Sequence, residues 1–430
     1  MHRVVITGLG LVSALGPDLA AAWPRLMNGE NGIGRVRRFD ASAYASRVAA
    51  EVAHGPGLNP PGPDDPGGPA GHARRATRFF LAAAREAAVD AGLASDAARD
   101  DSGVAAGVSV NYLHMALLRE AWRRRTPDGR RVDLARFLRE VALPPGLLLR
   151  RQGDWTAAAV ARALRLAGPR VAVDTACAAG AHAILEAARH VRRGRARMMI
   201  AGGACATVVP VGLLAFARLG ALSANPDPET ASRPFDRLRD GFVMGEGAGA
   251  LALEALESAR ARGARIYAEL AGAGSTLGAH NLTDPSSGGE AEARAIALAL
   301  AEARLAPDEV GYVAAHGTST PKNDAAETRA IERALGHASA RVMVSSNKGQ
   351  LGHTLAAAGA INAIAAVLAI ARGEVPPTAH YAVPDPECGL DYVPNAGRRA
   401  RVGAALANAF AFGGHNVVLA LRAHGAGMDR

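Results

Sequence analysis

Three positions carry side chains able to do nucleophilic and acid–base chemistry, and each follows a short apolar run. Cys177 stands in "VAVDTACAAGAHAILEAARHV" (171–191), His316 in "VAAHGTSTPKND" (313–324) and His353 in "VSSNKGQLGHTLAAAGA" (344–360). The run before Cys177 reads as a strand. After it, Ile184, Leu185, Ala188 and Val191 share one face of a helix that Gly194 ends. The thiol is thereby placed at a helix start, where unpaired backbone N–H groups and the dipole favour thiolate. Ala176, Ala178, Ala179 and Gly180 are expected to leave room for a substrate carbon at the sulfur. A buried structural cysteine is the alternative, and Cys205 and Cys388 take that reading.

His316 ends its strand before Gly317 and the hydroxyls of Thr318, Ser319 and Thr320, groups suited to an amide-containing or phosphorylated tether. Its ring is expected in a loop; a satisfied structural histidine is the alternative. His353 lies near a helix start, where the dipole would keep it neutral and able to donate from Nε2. Lys348 shares that loop, and every basic residue other than Lys322 and Lys348 is Arg, so a compact three-donor ammonium is wanted there. If all three loops gather at the carboxyl ends of strands, a thiolate and two imidazoles can run acyl transfer.

The elements that must position these loops alternate strand with helix. Strands are read at 3–7, 170–174, 197–203, 250–256, from 266, at 310–316 and at 341–346; helices follow Cys177 and cover 290–304, 324–335 and 355–372. This is an α/β pattern in two comparable halves, 1–265 with the cysteine and 266–425 with both histidines. A helix with Phe80, Ala83, Ala84, Ala87 and Ala88 on one face ends at Gly92, after a Pro/Gly-rich stretch (54–75) read as an exposed loop. Residues 114–151 read as helical, Arg-rich and broken by a "TPDG" turn. "GLGLVSALG" lacks the third glycine and the downstream acid of a dinucleotide site.

With 430 residues, 49% hydrophobic, 21% charged and 4% aromatic, the chain is globular and its core is mostly small aliphatic residues. The net charge of +9 calls for an acidic partner. Nucleic acid is disfavoured, because "RRR" (123–125) and "RHVRRGRAR" (189–197) lack interleaved aromatics. Three distant cysteines exclude a disulfide framework and point to a reducing cytoplasm. The apolar stretch 358–371 is a core helix, too short to span a bilayer.

Taken with "SRPFDRLRDGFVMGEGAGAL", "HGTSTPKNDAAE" and "NAFAFGGHN", these motifs run through nearly the whole chain, which resembles an elongating β-ketoacyl-acyl carrier protein synthase of the thiolase-fold superfamily. The resemblance implies a duplicated five-layer αβαβα fold and a homodimer. It makes Cys177 the acyl-accepting nucleophile and His316 and His353 the holders of a malonyl thioester carbonyl. It pairs Lys348 with Glu327 as supporting charges and gives Thr318 and Thr320 the pantetheine arm. Phe410 and Phe412 become the gate, with the N–H groups of Cys177 and Phe412 as oxyanion hole. Arg74, Arg75 and Arg78 would dock an acidic acyl carrier protein. No metal or resident cofactor is implied, since phosphopantetheine comes on the carrier. Two departures suggest a specialised acyl group: Val110, Asn111 and Tyr112 put bulk in the acyl pocket, and Ala411 replaces a gate glycine. Two other roles remain open at this point, a non-condensing chain-length-factor-like partner subunit of a heterodimer and a cysteine-dependent acyltransferase.

Overall fold

The computed structural model describes residues 1–53, 58, 71–93, 100–108, 120–141 and 153–425. Ten strands carry the architecture: β1 (Val4–Val12), β2 (Ser102–Gly107), β3 (Arg170–Val173), β4 (Met198–Cys205), β5 (Gly247–Ala255), β6 (Ala268–Leu277), β7 (Val310–Ala314), β8 (Met343–Ser345), β9 (Ala404–Ala411) and β10 (His415–Arg422). Their spatial order is β8-β7-β9-β10-β6-β1-β5-β4-β2-β3. Cut between β6 and β1, which meet only at Val5–Glu269 and Ile6–Ala268, this is one five-stranded order used twice, third-second-fourth-fifth-first. The duplication that the family resemblance implies is thus written in the topology. Each half is mixed rather than parallel: β5 and β10 run antiparallel to their neighbours.

Six helices complete the layers: α1 (Gly71–Asp90), α2 (Trp155–Ala163), α3 (Ala179–Arg192), α4 (Glu290–Ala303), α5 (Pro321–Leu335) and α6 (Ala358–Arg372). α1 and α2 cover the outer face of the first sheet, α4 with α5 against it covers the second, and α3 and α6 pack on each other between the sheets. Central helices have no solvent face, so α6 is buried from Ala358 to Ala369 and apolar there but for Asn362, whose Nδ2 donates to the Ala315 and Asn408 carbonyls. Leu355–Arg372 is the one segment among the described residues long and apolar enough to cross a membrane, and it is buried here.

The sheets and helices approach so closely that larger side chains would not fit. A Cβ at Gly10 would stand 2.0 Å from the Ala83 carbonyl of α1, so the glycines of the first strand serve packing. A Cβ at Gly203 in β4 would lie 2.3 Å from the Ala356 carbonyl ahead of α6. Gly203→Ala is expected to cost about 1–3 kcal/mol by overpacking, read as a lower denaturation midpoint at unchanged slope. The Pro/Gly-rich stretch ends earlier than the sequence suggests, since α1 begins at Gly71. Within the stretch 114–151, residues 120–123 and Leu134–Glu140 are helical, and the "TPDG" turn closes through the N–H of Gly129 on the Thr126 carbonyl.

Candidate active site

The chain enters both central helices through the same kind of turn. After β3 the chain turns through Ala176–Ala178 into α3; ahead of α6 it turns through Leu355–Ala357. Both turns open on a left-handed residue that is not glycine, Ala176 at φ +48° and Leu355 at φ +44°. Each costs roughly 1–2 kcal/mol, a strain that packing of the two turns against each other must offset. Cys177 sits in the first turn, 7% exposed, and Ala356 holds the matching place in the second.

The small residues after Cys177 are there for packing, contrary to the expectation that they clear space for substrate. A Cβ on Gly180 would lie 2.6 Å from the Ala356 carbonyl, and Ala178 and Ala179 are fully buried. Space beside the sulfur comes instead from a cavity of about 640 Å³ whose wall includes Cys177, His316, His353, Phe410 and Phe412. Thr318 and Thr320 line it too, their hydroxyls 2.8 Å apart.

His316 is held by its backbone. Glu327 of α5 accepts the N–H groups of His316 and Gly317, both at 2.7 Å, while Lys348 Nζ donates to the His316 carbonyl. Asn408 Nδ2 donates to Glu327 at 3.0 Å. Lys348 and Glu327 are both buried, and no direct ion pair joins them; they grip the same stretch of backbone from opposite sides. Asp324, one helical turn before Glu327, accepts the N–H groups of Thr318 and Ser319. His353 is pinned from the other half, since its N–H donates to the Val243 carbonyl and its carbonyl accepts from Gly245. The two imidazoles meet edge to face, with centroids 5.2 Å apart.

Burial holds both imidazoles well below the ordinary histidine range, and the nearby Lys348 ammonium pushes further in the same direction. The neutrality expected of His353 is therefore present, but from desolvation before any helix dipole. Its Nδ1 accepts the Leu355 N–H at 3.3 Å, which leaves the proton on Nε2. His316 Nδ1 is buried without a partner. Lys348 itself is brought down to about 8 by burial, opposed chiefly by the Glu327 charge.

The thiolate expected from the helix start is overturned. Burial pushes the Cys177 thiol up to about 12, and the Lys348 charge only partly opposes it. A single turn of N–H groups does not offset the loss of water around a sulfur anion. In the free protein, alkylation of Cys177 by iodoacetamide is expected to climb roughly tenfold per pH unit from 7 to 9, following the thiolate fraction; a plateau by pH 8 would contradict this, and peptide mass spectrometry reads it.

Other assignments from sequence fare differently. Arg75 is not a docking residue: it is 3% exposed, bonded to Glu246 at 2.6 Å and to the Val52 carbonyl, and stacked on Phe79. Arg78 is half-buried and engaged. The Arg74 side chain and Val110, Asn111 and Tyr112 lie outside the described residues. Ala411 has extended backbone, φ −147°, and needs no glycine there; the left-handed glycines of that turn are Gly413 and Gly414. Sequence reasoning missed Asp324, Phe216 and Phe242. Phe216 contacts both Phe412 and Phe242, and Phe242 meets the His353 ring edge to face, completing an aromatic row along the cavity. Their signal was scarcity: the chain has only 9 Phe, and four line this wall.

A doubled mixed sheet around two central helices, with a cysteine and two neutral histidines on one cavity, defines a thiolase-like α/β enzyme of the condensing, acyl-transferring class. The profile of the "Beta-ketoacyl synthase, N-terminal domain" matches residues 1–259, and that of the C-terminal domain matches 267–382. The chain belongs to the β-ketoacyl synthase family. It is 42% identical over 422 residues to a 3-oxoacyl-acyl-carrier-protein synthase 2 of Synechocystis sp., covering 98% of each chain. Among solved structures it is similar to a chain of a type II PKS acyl-carrier protein in complex with its ketosynthase bound to the hexaketide, with TM-score 0.86, 34% identity and coverage of 98% and 99%. It is also similar to a chain of the ishigamide ketosynthase/chain length factor, with TM-score 0.84, 35% identity and coverage of 99% and 100%.

Proposed function

We propose that the protein lengthens a carrier-bound acyl chain by decarboxylative condensation in fatty-acid or polyketide biosynthesis, with Cys177 as the covalent station. The carrying observation is that Cys177, His316 and His353 share one cavity whose two imidazoles are neutral at physiological pH. In the first half-reaction the Cys177 sulfur attacks the thioester carbonyl on a carrier's pantetheine arm. The carbonyl oxygen gathers charge against the N–H groups of Cys177 and Phe412, the old C–S bond breaks, and the proton of Cys177 leaves on the departing pantetheine sulfur, ferried by an imidazole.

In the second half-reaction a malonyl thioester places its carbonyl oxygen against Nε2–H of His353 and the ring of His316. Loss of CO2 leaves its electron pair as an enolate held by these donors. The enolate carbon attacks the acyl carbonyl, the bond to Cys177 breaks, and the sulfur takes a proton from the medium. Neutral imidazoles suit this step, because they stabilise the oxyanion without delivering a proton that would quench the carbon. Glu327 and Lys348 fix the His316 backbone, and Thr318 and Thr320 offer hydroxyls to the arm. The reaction draws on the carrier's phosphopantetheine and asks for no resident cofactor. The partners are an acidic acyl carrier protein and a second subunit, a copy or a chain-length-factor-like relative, in a reducing compartment that suits three free cysteines. Incubation with acyl-carrier thioesters of graded length is expected to leave an acyl adduct on Cys177, located by peptide mass spectrometry; no adduct with any chain would overturn the reading.

A further inference from the structure

His182 is used by no step above, yet it occupies the joint between the nucleophile turn and the hairpin that bears Phe412. It lies on α3, seven residues beyond Thr175, on the face that looks back along the helix to the turn. Its Nδ1 is 2.8 Å from the Thr175 hydroxyl, and its Nε2 is 3.0 Å from the Ser275 hydroxyl on β6, in the other half of the molecule. Thr175 makes no side-chain cap to its own turn, and the next residue is the strained Ala176. The ring of His182 also meets His415 edge to face, with centroids 6.2 Å apart. His415 opens β10 directly after the Phe412–Gly414 turn, and its Cδ2 is 3.3 Å from where a Cβ on Gly413 would stand. The nucleophile turn itself packs on β9, β10 and that Phe412 turn.

We infer that His182 is a positioning residue for acylation: by tying Thr175 to Ser275 and bracing His415, it sets the spacing between the backbone N–H groups of Cys177 and Phe412. A strained turn relaxes unless its neighbours over-determine it, and Thr175 is the residue through which that constraint enters. Burial draws His182 down to about 4, helped by His415, so the ring stays neutral and presents one donor and one acceptor to the two hydroxyls. The inference rests on the proposed oxyanion hole and makes a selective claim, since the malonyl carbonyl is assigned to His316 and His353, and the contacts of His182 named here are with Thr175, Ser275 and His415.

The test compares wild type with His182→Ala and with Ser275→Ala, the latter removing only the outer anchor. Pre-steady-state mass spectrometry follows acylation of Cys177 from acyl-carrier protein, and CO2 release from malonyl-carrier protein is followed separately. Acylation is expected to slow roughly 10- to 100-fold in His182→Ala and by a smaller factor in Ser275→Ala, with CO2 release within about twofold of wild type. Unchanged acylation in both variants, or equal loss of both half-reactions, overturns the inference. Failure of wild type to acylate Cys177 would instead overturn the proposed function, so the two are separable.

Discussion

Cys177→Ala is expected to abolish condensation, lowering the rate by about 10⁴-fold or more, because Cys177 is the one cysteine among the described residues lining the cavity. Cys205 is no substitute: it is buried in β4, bonded to Thr207 at 3.0 Å, and burial raises its thiol to about 12. The substitution removes one buried sulfur from a turn whose shape is set by Ala176 and by packing, so the variant should fold. Acyl adducts should vanish from it, while CO2 release from malonyl-carrier protein should persist, because His316 and His353 are untouched. Condensation surviving within tenfold would disprove a covalent route.

His353→Ala should divide the reaction the other way. Removing one donor from a dry oxyanion site is worth about 10²–10³-fold in rate. Condensation and CO2 release should both fall by that order, while acylation of Cys177 changes by no more than a few fold. The fold should tolerate the change, because His353 is anchored through its backbone to Val243 and Gly245, leaving only the Leu355 N–H without its acceptor. Separate assays of the two half-reactions check the split. Equal damage to both would mean that His353 serves the sulfur rather than the malonyl carbonyl.

Much of the site was legible because its chemistry is concentrated in loops whose composition is unlike the rest. Lys348, one of two lysines in an Arg-rich chain, a His between a strand and "GTST", and a Cys between strand and helix each stand out. Glu327 came with the family resemblance, and Asp324, one turn earlier on the same helix, was not singled out although it stands in the same quoted motif. What misled was the local physics of Cys177. A helix start predicts thiolate only if water or another charge keeps the sulfur solvated, and how dry the position is depends on α6 and the second sheet, far away in sequence. Arg75 failed for a similar reason: an arginine near the start of a helix reads as surface until Glu246, distant in sequence, is seen to bury it.

By itself the chain determined its α/β class and singled out the three side chains worth testing, since periodicity and residue type act locally. Only the tertiary structure decided that each half of the sheet is mixed, and that small residues beside Cys177 serve helix contact. It also decided that His353 is held by the opposite half and that both imidazoles are neutral. Those facts depend on desolvation and close packing between segments remote in sequence, and no window along the chain contains both partners.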